Sequence, residues 1–259
     1  MSLPSSNLPI NMEDQVLVEL INEPVDFLRG FEVQGAAFGA QAKDAIWIAM
    51  SPEWDTTSGK RAGAARLSKR FENRTINAAG QPNTVFLKAT VTDPDDPDRR
   101  LIVGMAIWQQ LSAVSGYGDP PPENQGESLG VHDLYPDNKS EQLFLTQAFQ
   151  SLHKRRFEVV LEKKVLNENP PATFVLDLCA VDPAFQRRGI AGKLVQFGLD
   201  EARRRGGIEA TTEASSMGRG AYQKLGFKPE GDGRDIVYVL DEEFRNRSTP
   251  PNVFLRTQG

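Results

Sequence analysis

Residues 176–194 read LDLCAVDPAFQRRGIAGKL. An apolar run holding Asp177 and Cys179 ends at Asp182-Pro183, turns through Gln186, Arg187, Arg188 and Gly189, and becomes amphipathic. The first amides of a helix have no internal partners, and the dipole favours negative charge there. Gly189 would let a ligand approach the backbone, and Ala191 and Gly192 would leave room beside the first turn. Arg187 and Arg188 add charge that cannot be titrated away. The pattern predicts an anion site of phosphate type. It is neither a Walker A loop, since Arg187 and Leu194 stand where glycine and serine or threonine are needed, nor a G-x-G-x-x-G turn. What it contains is Q-x-x-G-x-A, as Gln186, Gly189 and Ala191.

Three other groups invite chemistry. Asp177 is the one charge in an apolar strand, two residues before Cys179, so a regular strand would put both on one face. Its carboxylate is either a base with a pKa raised by burial or the partner of an Arg or Lys. Cys179 is the only cysteine, with no histidine motif beside it, and reads as a small buried hydrophobe rather than a nucleophile. Glu213 and Ser215 end a later strand and either serve the site or cap the next helix. His132 reads as a solvated loop residue. His153 heads the run HKRR, the pattern of a solvated helix face.

These residues need elements to hold them. Strands are expected at 15–21, 83–91, 100–111, 172–181 and 207–213, with 226–230 and 235–241 as a closing pair. Helices are expected at 24–38 (Val25, Leu28, Phe31, Ala36 and Phe38 inward), 59–77, 140–165, 189–205 and 217–225. Residues 92–99 form an acidic, Pro-rich hairpin turn, and Gly104 marks a bulge or a close approach. Trp108 is expected in the core. Residues 112–139, rich in Gly, Pro and Ser, read as a long loop, and 172–181 as a central buried strand. One domain is expected over 15–245, with a flexible start at 1–14 and a tail at 246–259.

Composition narrows the class. The chain has 259 residues, 25% charged, with a net charge of −5, a balance that argues against a nucleic-acid partner. One cysteine allows no intrachain disulfide, and two distant histidines give no metal-ligand spacing. No apolar run approaches membrane length and the N-terminus has no signal-peptide pattern, so an intracellular, cytoplasmic protein without a membrane partner is expected.

The stretch CAVDPAFQRRGIAGKL resembles the main signature of the GNAT superfamily of acyl-CoA N-acyltransferases, [QR]-x-x-G-x-[GA] after a strand ending in small apolar residues. EASSMGRGAYQKLGF, residues 213–227, resembles its last signature, with Tyr222 before LGF. The likeness covers 172–241, extends by order of elements to 15–111, and is absent over 112–139. It implies an α/β (α+β) fold with a mixed, mostly antiparallel twisted sheet, flanking helices and central strands 172–181 and 207–213 splayed apart. It implies acetyl-CoA as co-substrate and acetylation of a primary amine by direct attack in a ternary complex. Carried over by position, the N–H of Cys179 faces the thioester oxygen and that of Val181 the pantetheine. Gln186, Arg187, Arg188, Gly189, Ile190, Ala191, Gly192 and Lys193 hold the pyrophosphate, Tyr222 is the general acid and Asp177 a base. The amine site would come from the first helices and the 112–139 loop, in a monomer or homodimer. The alternative is a non-catalytic module that binds CoA or acyl-CoA.

Overall fold

The computed structural model describes residues 16–93 and 95–258, so the start at 1–14 lies outside it. Seven strands form one sheet in the order β1-β2-β3-β4-β5-β7-β6. They are β1 (Leu17–Leu20), β2 (Thr84–Asp93), β3 (Asp96–Leu111), β4 (Thr173–Val181), β5 (Glu209–Ala214), β6 (Lys228–Pro229) and β7 (Val253–Arg256). Every pairing is antiparallel except β4 with β5. This is the mixed, mostly antiparallel sheet the sequence leads one to expect.

Strand periodicity sorts the two faces. Leu87, Ala106, Trp108, Phe174 and Leu176 pack against α7 (Ile190–Arg204). Phe86, Met105 and Ile107 face α1 (Asp26–Gln34) and α3 (Thr57–Glu72), while Val175 meets α6 (Lys139–Val165) on that same side. The short α8 (Ser216–Lys224) joins the α7 layer through Tyr222. Gly104 shows both expected features. The β2–β3 register shifts beside it, and a side chain there would press on Ile190 and Leu194.

Several expectations are corrected. The first helix buries Phe27, Gly30, Phe31, Val33 and Gln34, whereas Val25 is 74% exposed and Leu28 is also exposed. Its inward stripe runs through Phe27 and Phe31, which meet Phe86 and Ile107 in one cluster. After Gln34 the helix widens to a π-helical turn, Gly35–Gln41, because Trp54 lies against Gly35 and Gly39. A short helix, α2 (Ala45–Met50), follows, capped by Asp44. The third helix stops at Glu72 rather than 77.

Residues 112–139 are not one loop. They contain α4 (Gln125–Leu129) and α5 (Val131–Leu134). Asp119 ties the preceding segment down by accepting from Asn83 and Gln109. Segment 235–241 is extended but leaves the sheet. Val239 N–H donates to Ser151 Oγ and Asp241 N–H to Gln147 Oε1, both on α6. The closing strand instead lies in the expected tail, where Val253, Phe254 and Leu255 are buried. Three consecutive apolar residues need cover on both faces, and the place beside β5 supplies it.

Trp108 is fully buried and stacks on Phe174 at 5.1 Å. Its indole lies directly on Gly198 of α7, where a Cβ would overlap the ring. Gly198→Ala is therefore expected to cost about 1–3 kcal/mol in a urea melt, by overpacking. An unchanged midpoint would show that α7 shifts freely over the sheet.

Candidate active site

The β4–β5 ladder is short. It pairs Thr173 with Glu209, Phe174 with Ala210 and Val175 with Thr211, and then stops. The Thr212 hydroxyl takes the Leu176 carbonyl at 2.9 Å, a side chain standing where a backbone amide would be. Beyond this point the strands part, and the opening holds the residues of interest.

On the other edge of β4 the pairing with β3 has a bulge. Ile107 pairs with Leu178 and Trp108 with Leu176, leaving Asp177 without a partner. The extra residue resets the alternation of side chains. Leu176 and Cys179 face α7 and α8, while Asp177 and Leu178 face α1, α3 and α6. Asp177 and Cys179 thus lie on opposite faces, contrary to the expectation from two-residue spacing.

The backbone beyond the bulge is aimed at the opening. Asp182 N–H donates to Val103 O at 2.9 Å. In an antiparallel pair, bonded and non-bonded residue pairs alternate. Ala180 opposite Met105 is therefore bonded, while Cys179 opposite Ala106 and Val181 opposite Gly104 are not. The N–H groups of Cys179 and Val181 point away from β3, toward the parted edge of β5.

The turn after β4 is held from two sides. Gln186 Nε2 donates to Val181 O at 3.0 Å, and its amide exchanges hydrogen bonds with Gln41 at the end of the π-helical turn. Arg29 of α1 donates to Asp182 Oδ2 at 2.6 Å and to Ile102 O at 3.1 Å. Between these anchors Arg187 and Gly189 adopt left-handed φ of 66° and 76°. Successive amides then point into one concavity, the arrangement that receives an anion. Among the described residues nothing accepts from the N–H groups of Arg187, Arg188, Gly189, Ile190, Ala191 or Gly192. Arg187 and Arg188 are exposed beside them, and a Cβ on Gly192 would meet nothing within 4 Å. Two positions differ from expectation. The Lys193 N–H belongs to Gly189 O while its ammonium donates to Val16 O, and the Gln186 side chain is spent on holding the turn.

Tyr222 of α8 reaches the opening from the α7 face. Gly218, four residues earlier, leaves space for the phenol to lie back along the helix. Its hydroxyl lies beside the Cys179 thiol. Burial pushes the thiol up to about 12, so it stays protonated and is no ready nucleophile. Burial, with Cys179 adding, also holds the phenol well above its usual range, so it remains a proton donor.

On the opposite face stands a side chain that the sequence reading passed over. Arg156 of α6 is 4% exposed. It donates to Asp177 Oδ1 at 2.8 Å and to both carboxylate oxygens of Glu213, Nε–Oε1 at 3.1 Å. Arg70 of α3 takes Asp177 Oδ2 at 2.9 Å. Burial raises the Asp177 carboxyl, but the two guanidiniums outweigh it and hold it well below the carboxylate range. Asp177 is therefore an ion-pair partner, poorly suited to accept a proton at neutral pH. Only part of the HKRR run is solvated: Lys154 is exposed, whereas His153 and Arg156 point inward. The available signal was Asp177 itself, a carboxylate in an apolar strand that required a cation. Ser215 caps α8, accepting from Gly218 N–H at 3.3 Å, and His132 is exposed on α5.

The 112–124 segment lies elsewhere. Leu111 pairs with Thr173 at the start of β4, whereas Val181 at its end pairs with Gly104. Eight residues of strand separate the two, roughly 25 Å. Nearer the opening, Val33 of α1 and Ala37 of the π-helical turn pack on Ala180 of β4. The Tyr238 hydroxyl is buried without a partner among the described residues, and its ionisation is opposed by burial and by Asp44 and Glu213. Among the described residues no helix is long and apolar enough to cross a membrane.

Residues 149–227 match the model of the acetyltransferase (GNAT) family. That span contains Arg156, β4, the turn, Glu213 and Tyr222. No curated protein matches the chain. Solved structures share its fold. One, from Corynebacterium glutamicum, described as histone acetyltransferase HPA2 and related acetyltransferase, is 17% identical with a TM-score of 0.51, covering 93% of this chain and 95% of that one. The polyamine N-acetyltransferase of Drosophila melanogaster, which forms N-acetylagmatine, is 12% identical with a TM-score of 0.52, covering 93% and 97%. A mosquito protein described as arylalkylamine N-acetyltransferase like 5b is 12% identical with a TM-score of 0.50, covering 93% and 98%.

His153 gives a stability test. Burial, with the charge of Arg156 adding and Asp177 opposing, holds it well below 6.5. The unfolded chain then takes up the proton first. Its contribution is complete above about pH 6.5 and is lost as pH falls toward the folded value, at up to about 1.4 kcal/mol per pH unit. Melts between pH 7.5 and 5 should fall more steeply for the wild type than for His153→Gln. Parallel curves would mean that His153 titrates alike in both states.

The match over residues 149–227, the mixed sheet parted between β4 and β5, and the amide-lined turn at the start of α7 make this part of the chain similar to the acetyltransferase (GNAT) family.

Proposed function

We propose that the protein transfers the acetyl group of acetyl-CoA to a primary amine by direct attack in a ternary complex. One observation carries this reading: six consecutive amides, from Arg187 to Gly192, have no acceptor among the described residues and open beside the parted strands. A pyrophosphate supplies the acceptors these amides lack. The Val181 N–H then meets the pantetheine arm. The Cys179 N–H meets the thioester oxygen, where negative charge grows as the amine attacks. Tyr222, kept neutral, gives its proton to the departing thiolate, and the proton shed by the attacking amine nitrogen restores the phenol. Cys179 contributes its backbone and forms no acyl-enzyme. Asp177 takes no proton in this reading, because both its oxygens are held by guanidiniums.

The acceptor is an amine that reaches the opening from the α1 and α2 side. The fly protein forms N-acetylagmatine, so agmatine and short polyamines are the first amines to assay.

Titration calorimetry with acetyl-CoA, using ATP as the phosphate-bearing control, tests the binding half. Acetyl-CoA should bind and ATP should not; binding of neither would end the reading. Gly192→Asp places a carboxylate in open space before the amides and should weaken acetyl-CoA binding about tenfold or more without altering the melt. An unchanged Kd would remove the phosphate from this turn.

Catalytic roles separate in a free-thiol assay. Tyr222→Phe should lower kcat about 100-fold with little change in KM, and Cys179→Ala should keep kcat within a few-fold. Binding without turnover of any amine would instead support a CoA-binding module. Loss of activity in a well-folded Cys179→Ala variant would support a covalent route.

A further inference from the structure

The ladder register points to a role for Arg156. Continuing Thr173 opposite Glu209 and Val175 opposite Thr211 puts Asp177 opposite Glu213. These are the residues joined through the Arg156 guanidinium. The link falls two positions beyond the last backbone pair. A guanidinium between two carboxylates spans more distance than a direct hydrogen bond between strands. It therefore keeps β4 and β5 associated while keeping their edges apart. It also clasps the bulge residue itself, with Arg70 on its second oxygen. The bulge in turn decides that the Cys179 N–H faces the opening.

We propose that Arg156 is a positioning residue. By holding Asp177 and Glu213 at a set separation it fixes the width of the opening, and with it the aim of the Cys179 N–H at the thioester oxygen. The role rests on the acetyl-CoA reading above. It makes Arg156 part of the polarising apparatus although it stands on the opposite face from Cys179 and Tyr222. Burial gives the arrangement its precision. The guanidinium is planar and forked, and here its Nε, Nη1 and Nη2 are all engaged, so the two strands are held in direction as well as distance. A lysine would keep the charge but not the fork.

The test reads the thioester directly and needs no acceptor amine. Acetyl-CoA labelled with 13C at the thioester carbonyl is bound to the protein, and its carbonyl stretch is measured by difference infrared spectroscopy. In the wild type a hydrogen bond from the Cys179 N–H shifts the stretch to lower frequency. In Arg156→Lys the shift should fall by about half or more, as the donor loses its aim. The Kd of CoA should stay within about twofold, because the amides at the start of α7 are untouched. Glu213→Gln makes the same test with the guanidinium in place and should lose part of the shift; it serves if Arg156→Lys does not fold. A full shift in both variants, or in Glu213→Gln alone where Arg156→Lys does not fold, would overturn the positioning role. Loss of the shift together with CoA binding would also overturn it, since it would mark general collapse of the site. A wild type that binds acetyl-CoA without any shift, or does not bind it, would instead defeat the reading on which the role rests.

Discussion

A parallel pair of strands that stops pairing partway leaves backbone groups without partners, and such groups must be answered. β4 and β5 part after Val175 and Thr211, and the structure answers the next groups one by one. The Thr212 hydroxyl takes the Leu176 carbonyl. Arg156 joins the following pair through their carboxylates. The Gln186 amide takes the Val181 carbonyl. Two donors, the N–H groups of Cys179 and Val181, face the same opening, and in the proposed function they meet the thioester oxygen and the pantetheine arm.

The same economy extends to the helix start. Arg29 and Gln41 fasten the turn to the first helical segment, so its open amides belong to a rigid piece of the fold rather than to a free loop. Arg187 accepts a left-handed backbone, which for a side-chain-bearing residue costs on the order of 1–3 kcal/mol. The strain turns the amides toward one point. Favourable pairing elsewhere, including the Arg29–Asp182 ion pair, offsets it.

Charge is arranged differently on the two faces of the opening. The α7 side holds Cys179 and Tyr222, both neutral and both pushed further from ionisation by burial. The α6 side holds two guanidiniums against two carboxylates, with neutral His153 beside them. One side of the opening is thus neutral, and the other carries a balanced ionic clasp.

Local rules decided much of this in advance. Gly189 after Gln186-Arg187-Arg188 could be read as an anion turn because helix N-termini have the same free amides wherever they occur. The alternation in β2 and β3, the bulge at Gly104, the burial of Trp108 and the cap at Ser215 follow from properties of a few neighbouring residues. The tertiary structure decided what depends on distant partners. Whether Asp177 is a base or an ion-pair partner is set by Arg70 and Arg156, more than 100 and 21 residues away in the chain. The bulge that separates Asp177 from Cys179 arises from register with β3, which no count along β4 alone contains. Segment 235–241 has the alternation of a strand, yet the place in the sheet went to Val253–Arg256, because two extended segments compete for one edge and the one needing cover on both faces takes it.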